Sequence, residues 1–174
     1  PFELKCENIP VPVGVDTQTP RLSWKLPLLE EDSINRVEIW LSTDSTQLSG
    51  RQSGYWNKSI IGAPIRVSYD GQPLDYTTYY WKIGYQTSSK QKTTFSPISS
   101  FTTGCLSPDN WKGKWITDKH DITYRPAPYY RKSFQLDKTI EQALLTIASA
   151  GLHELSVNGQ RAGNHFLDPM YTHF

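Results

Sequence analysis

Apolar residues recur at every second position in short runs along this chain, the period of a β-strand with one buried face. Arg21-Leu22-Ser23-Trp24-Lys25-Leu26 alternates in this way and is closed by Pro27. Arg36 to Ser42, Ile65 to Tyr69, the aromatic run Tyr79 to Gln86 and Ile98 to Thr103 repeat the pattern, with Leu4-Lys5-Cys6 in front. Turn-forming stretches separate the runs at residues 10–20, 30–33, 70–71 and 88–94. Roughly six or seven short strands in the first hundred residues predict a seven-stranded immunoglobulin-like or fibronectin III-like β-sandwich. Trp24, Trp40 and Trp81 fall at the phase expected to face its core. The spacing of Leu74 and Tyr80 suits a tyrosine corner, in which a phenol oxygen returns to upstream backbone.

The sandwich is expected to span residues 1–105, followed by a linker over 106–114 and a second domain over 115–174. That second domain opens with Trp115 and a Pro-broken polar loop, Thr117 to Pro128, which cannot hold regular structure. Strand patterns resume at Tyr129–Leu136, Ala143–Ala148 and His153–Val157. Asn158-Gly159 follows, the strongest short hairpin signal, because both central residues of a type I′ turn need φ > 0. Lys138 to Leu145 is the one helix candidate and lacks a sustained apolar stripe. Four or five strands fall short of the about eight in a double-sheet jelly roll. The chain is therefore expected to stop inside its second domain and to be the front of a larger protein. Its start, Pro1-Phe2-Glu3, has no initiator Met and fits a removed signal or a piece beginning downstream of one.

Composition closes several other classes. With 18 basic and 17 acidic residues the formal net charge is +1, without the clustered basic excess of a nucleic-acid footprint. Hydrophobic residues at 37% and aromatics at 13% are too many for a disordered chain. No apolar run approaches a membrane span, and the mean hydropathy is −0.55. Cys6 and Cys105 are compatible with one disulfide or with two thiols, so they leave both pairing and redox compartment open.

Few residues suggest chemistry. Asp118-Lys119-His120-Asp121 places an imidazole between carboxylates, but in a loop whose default state is solvated. Asp109 and Asn110 suit turn backbone, and His153, His165 and His173 read as packed or surface residues. There is no CxxC, no H-E-x-x-H, no nucleophile elbow and no phosphate-cradling loop. No catalytic residue, metal site or cofactor is expected. Tyr55 and Trp56, in a Gly-flanked loop, are the one candidate site, an exposed aromatic pair for stacking a sugar or meeting a neighbouring domain.

The ordered set of motifs resembles one family. Gly14-Val15-Asp16, then Pro20-Arg21-Leu22-Ser23-Trp24, is similar to the opening of the N-terminal immunoglobulin-like domain of bacterial α-L-rhamnosidases. Ser53-Gly54, Tyr79-Tyr80-Trp81-Lys82-Ile83 and Phe101-Thr102-Thr103-Gly104 continue the pattern in order. Trp111 and Trp115-Ile116 resemble the family's domain junction, and Tyr130-Arg131-Lys132 with Phe134 follows it. The run from Ala150 to Gly163, then Leu167, Pro169 and Tyr171-Thr172, resembles the first third of the family's jelly-roll domain. Where that family commonly has Pro-Gly-Trp-Thr, this chain has Pro169-Met170-Tyr171-Thr172, a segment read as structural.

The resemblance implies the non-catalytic, accessory front of an inverting enzyme that removes terminal α-linked L-rhamnose from glycosides or polysaccharides. The acid and base of that family are glutamates in a downstream (α/α)6 barrel, and no position here matches their motif. The implied partners are that catalytic domain and a rhamnose-containing carbohydrate. Some relatives bind rhamnose with calcium through a jelly roll, at positions largely past Phe174. Export to the periplasm, cell surface or medium is expected. Two alternatives stand beside this reading: a stand-alone carbohydrate-binding module, and an adhesion or protein-interaction sandwich.

Overall fold

The computed structural model describes residues 1–49, 54–90, 92–121, 123–124, 126–140, 143–164 and 166–168. It divides into two compact units, Pro1–Thr117 and Asp118–Phe174. Ser53, His165, His173 and the Pro169–Thr172 segment lie outside the described residues.

The described residues of the first unit hold nine strands: β1 (Phe2–Cys6), β2 (Val13–Val15), β3 (Arg21–Lys25), β4 (Ile34–Ser42), β5 (Trp56–Ile61), β6 (Arg66–Ser68), β7 (Thr78–Thr87), β8 (Thr94–Phe95) and β9 (Ser99–Thr103). A three-stranded sheet runs β1-β3-β6. A six-stranded sheet runs β2-β9-β7-β4-β5, with β8 also on β7. All ladders are antiparallel except β2 on β9. The long central pair sets Ile39 opposite Ile83 and Leu41 opposite Trp81, which sends Val37, Ile39, Leu41, Tyr79, Trp81 and Ile83 to one face. Against that face lie Leu22 and Trp24 of β3. Trp24 and Trp81 meet across the sandwich edge to face, centroids 6.5 Å apart. At 3% and 0% exposure neither indole N–H finds a hydrogen-bond partner among the described residues.

Each strand expected in this half is present, and three that the pattern missed are added: β2, β5 and β8. So are a one-turn helix, α1 (Ser45–Ser49), and a 3-10 turn at Pro108–Asn110 capped by the Ser107 hydroxyl. Two placements differ from the sequence reading. Trp40 shares its phase with Arg36 and Glu38, so it lies half-buried on the outer face of the large sheet and not in the core. The tyrosine corner is made by Tyr79, whose phenol oxygen accepts from the Asp75 N–H at 2.7 Å; Tyr80 points to the opposite face of β7. Cys6 and Cys105 are free thiols.

The second unit is sparse in ladders. Its regular structure among the described residues is one hairpin, β10 (Ser156–Val157) with β11 (Gln160–Arg161), turned by Asn158 at φ 51° and Gly159 at φ 82°. The Asn-Gly signal therefore gave the expected turn. Among the described residues the strands expected at Tyr129–Leu136 and Ala143–Ala148 are absent, as is most of His153–Val157, and residues 138–140 and 143–145 form no helix. Alternation says which side chains share a face, but a strand also needs a neighbour for its N–H and C=O groups. No described segment runs beside these as a ladder partner.

Candidate functional site

Trp56 opens the edge strand β5, and Tyr55 lies in the bend just before it. Both are half-buried against the core. The Tyr55 ring lies 5.2 Å from Tyr79, and the Trp56 ring 5.0 Å from Tyr69. Their polar atoms turn toward the segment after β6. Tyr55 Oη donates to the Pro73 carbonyl at 2.6 Å, Trp56 Nε1 to Asp70 Oδ1 at 3.2 Å, and Tyr69 Oη to the Gln72 carbonyl at 2.7 Å. Lys58 Nζ completes the set with an ion pair to Asp70 Oδ2. That hydrogen-bonded ammonium holds the Asp70 carboxyl below the usual range, while burial pushes the Tyr69 phenol up to about 12. Gly71 is required by close approach, since a Cβ there would come within 2.6 Å of Tyr69 Cζ and 2.7 Å of Trp56 Cδ1. Three aromatic residues and one lysine thus clasp a single turn, Asp70 to Pro73.

A second cluster, absent from the sequence reading, sits on the outer face of the large sheet. Lys82 is 8% exposed, and its ammonium lies 4.8 Å from the Trp40 ring centroid and 4.3 Å from that of Phe95. It donates to the Leu48 carbonyl of α1. Burial pushes its pKa down. The local signal was present in the sequence: a lysine on a strand whose neighbours Trp40 and Phe95 break the polar phase of their own strands.

The loop candidates remain local. His120 Nδ1 pairs with Asp118 Oδ2 at 3.0 Å, and its ring lies 5.4 Å from Tyr124. Asp121 Oδ1 accepts from Thr123 N and Oγ1, which lowers its carboxyl pKa. Asp109 and Asn110 form the 3-10 turn. In the second unit the Ser149 hydroxyl donates to the Gly151 carbonyl at 2.7 Å and lies 3.0 Å from His153 Nδ1. The backbone of His153 pairs with that of Asp168. Among the described residues no three His, Cys, Asp or Glu side chains are placed to hold a metal. No described helix is long and apolar enough to cross a membrane.

Two face-packed, mainly antiparallel sheets with a tyrosine corner define the first unit as an immunoglobulin-like β-sandwich, and its polar clusters are braces within the fold. The chain belongs to the family of Rha78A-like N-terminal immunoglobulin domains, whose model matches residues 1–107. The model of the α-L-rhamnosidase N-terminal domain matches residues 138–174. An α-L-rhamnosidase of Formosa agariphila is 26% identical over 95% of this chain and 19% of its own length, and one of Streptomyces avermitilis is 23% identical over 88% and 17%. The solved α-L-rhamnosidase from Dictyoglumus thermophilum superposes with a TM-score of 0.62 at 33% identity, over 68% of this chain and 14% of that one. The Streptomyces avermitilis enzyme, solved with L-rhamnose, shares the fold at a TM-score of 0.58 and 23% identity, over 67% and 12%. The chain therefore spans about a fifth of the length of the curated relatives it matches.

Proposed function

We propose that this chain is the non-catalytic N-terminal region of an α-L-rhamnosidase, a glycoside hydrolase acting on terminal α-linked L-rhamnose in glycosides or polysaccharides. The observation that carries this is order: two N-terminal rhamnosidase models match successive parts of the chain, and relatives align along nearly all of it but only a fifth of themselves. The chemistry of the described residues agrees. Glycoside hydrolysis needs two carboxyl groups facing each other about 5–9.5 Å apart across a sugar. Five of the carboxylates, Glu7, Asp32, Asp44, Asp70 and Asp121, are taken up by arginine, lysine, hydroxyl and backbone donors. Its role is to brace a catalytic domain of the same polypeptide. Against the stand-alone sugar-module alternative, the polar atoms of Tyr55 and Trp56 already serve the Asp70–Pro73 turn.

The test is hydrolysis of an aryl α-L-rhamnoside. These 174 residues alone should release no phenol, and a longer polypeptide carrying them followed by the catalytic domain should release it. Turnover by the pure short chain, or a longer protein inert on rhamnosides but active on another glycoside, would overturn the reading.

A further inference from the structure

We propose that Asn158-Gly159 is a self-modifying site at which the chain loses ammonia and rewires its own hairpin turn. The Gly159 backbone nitrogen, after giving its proton to water or hydroxide, bonds to Cγ of Asn158. The Cγ–Nδ2 bond breaks and the amide nitrogen leaves as ammonia, closing a five-membered imide. Water then opens the ring at either carbonyl. Opening at Cγ leaves an aspartate side chain on a normal peptide, and opening at the main-chain carbonyl gives isoaspartate, with the backbone routed through Cγ.

Three features place the reaction here. Gly159 has no Cβ to crowd the attacking nitrogen, and no other asparagine of the six in this chain precedes a glycine. Asn158 and Gly159 are both exposed, and the Asn158 side chain has no hydrogen-bond partner among the described residues. Among the described residues, the turn that must relax for the nitrogen to reach Cγ is closed by two exposed residue pairs, Ser156 with Arg161 and Val157 with Gln160, and by one more backbone hydrogen bond, from the Ala162 N–H to the Leu155 carbonyl at 2.8 Å. An isolated two-stranded hairpin without a buried face opens readily.

The chain carries its own comparison. Asp70-Gly71 is the other acidic or amide residue before glycine in a turn, and the same ring closure there would produce isoaspartate by loss of water. There the side chain is fixed by Lys58 and Trp56, and Gly71 is wedged against Tyr69. It should stay intact. At Asn158 each event replaces a neutral amide by a carboxylate, taking the formal net charge from +1 to zero. The isoaspartate product adds a methylene to a two-residue turn and so breaks the pairing register of β10 and β11.

The experiment is incubation of the intact chain in mildly alkaline buffer, followed by peptide mapping with mass spectrometry and enzymatic methyl labelling of isoaspartate. The expected result is conversion at Asn158 well ahead of Asn8, Asn35, Asn57, Asn110 and Asn164, with both aspartate and isoaspartate products and none at Asp70. Asn158→Gln should silence the site while leaving the other peptides unchanged. Conversion at Asn158 no faster than at the other asparagines, or isoaspartate at Asp70 first, would overturn the proposal.

Discussion

The Tyr79 phenol oxygen accepts the backbone N–H of Asp75 at 2.7 Å, four residues upstream, while its ring stacks on Phe101 at 5.5 Å. One residue thus ties the β6–β7 connection to the core of the large sheet. Tyr79→Phe keeps the ring and strands the Asp75 N–H, for a loss of about 1–3 kcal/mol. Tyr80→Phe, on the other face, should shift the urea midpoint far less. Equal shifts for the two variants would remove the corner from Tyr79.

Trp24 and Trp81 form the inter-sheet contact, and Trp40 does not. Trp24→Ala opens a buried cavity and should cost about 3–5 kcal/mol. Trp40→Ala removes a half-buried ring from the outer face and should cost clearly less. Chemical denaturation of the two variants side by side reads the difference, and a larger loss at Trp40 would reverse their assignment to faces.

How these placements relate to the sequence can be argued residue by residue. Period-two patterning locates a strand but gives its inward phase only where the outward phase is polar. In β3 the outward residues are Arg21, Ser23 and Lys25, so the inward phase of Trp24 is unambiguous. In β4 the ring of Trp40 interrupts the polar phase of Arg36 and Glu38, and in β7 aromatic residues occupy both phases, so the pattern puts Trp40 and Tyr80 on the wrong side. β5 escapes the pattern because Asn57, Lys58 and Ser59 dilute its apolar signal. For Tyr55 and Trp56 the sequence shows two rings but not where their polar atoms go. Their partners, Pro73 and Asp70, lie 18 and 14 residues away and are brought back only by the fold.

Glu7 carries a positive φ of 49° in the tight turn after β1, and its carboxylate grips Arg21 through the backbone N–H at 2.6 Å and the guanidinium at 2.6 Å. The Arg21 side chain is the main cause that lowers the Glu7 pKa from 4.5. A lowered folded-state value means stability that is present above about pH 4.5 and lost as pH falls through the folded value. Glu7→Gln should therefore flatten the acid limb of the stability curve. An unchanged slope below pH 4.5 would show that the pair contributes nothing there.

Gly84 sits opposite Glu38 on the outer face, where a Cβ would run into the Thr93 methyl and come 2.7 Å from Phe95 Cε1. Gly84→Ala must push Phe95 off its 5.2 Å contact with Trp40, at a cost of about 1–3 kcal/mol. The displacement should also change Trp40 fluorescence. A variant with wild-type stability and emission would mean that the added methyl is accommodated without moving Phe95 from Trp40.

Lys82 offers the sharpest test of the outer face, because its charge and its burial act in opposite directions. The ammonium gains the Leu48 carbonyl and two aromatic faces, yet burial lowers its pKa from 10.5. Between the lowered value and 10.5 the unfolded chain keeps a proton that the folded chain has released, so this group adds stability as pH rises through that interval. Tyr69 and Tyr79 work the other way: burial raises their phenol pKa values, so their contribution falls once pH passes the ordinary 10.0. The quantity to measure is therefore the difference between wild type and Lys82→Met, which keeps the apolar stem and both tyrosines. That difference should grow in favour of wild type as pH climbs toward 10.5, and α1 amide exchange should be faster in the variant. A difference independent of pH would mean that Lys82 titrates normally and that its ammonium is solvated in the folded protein.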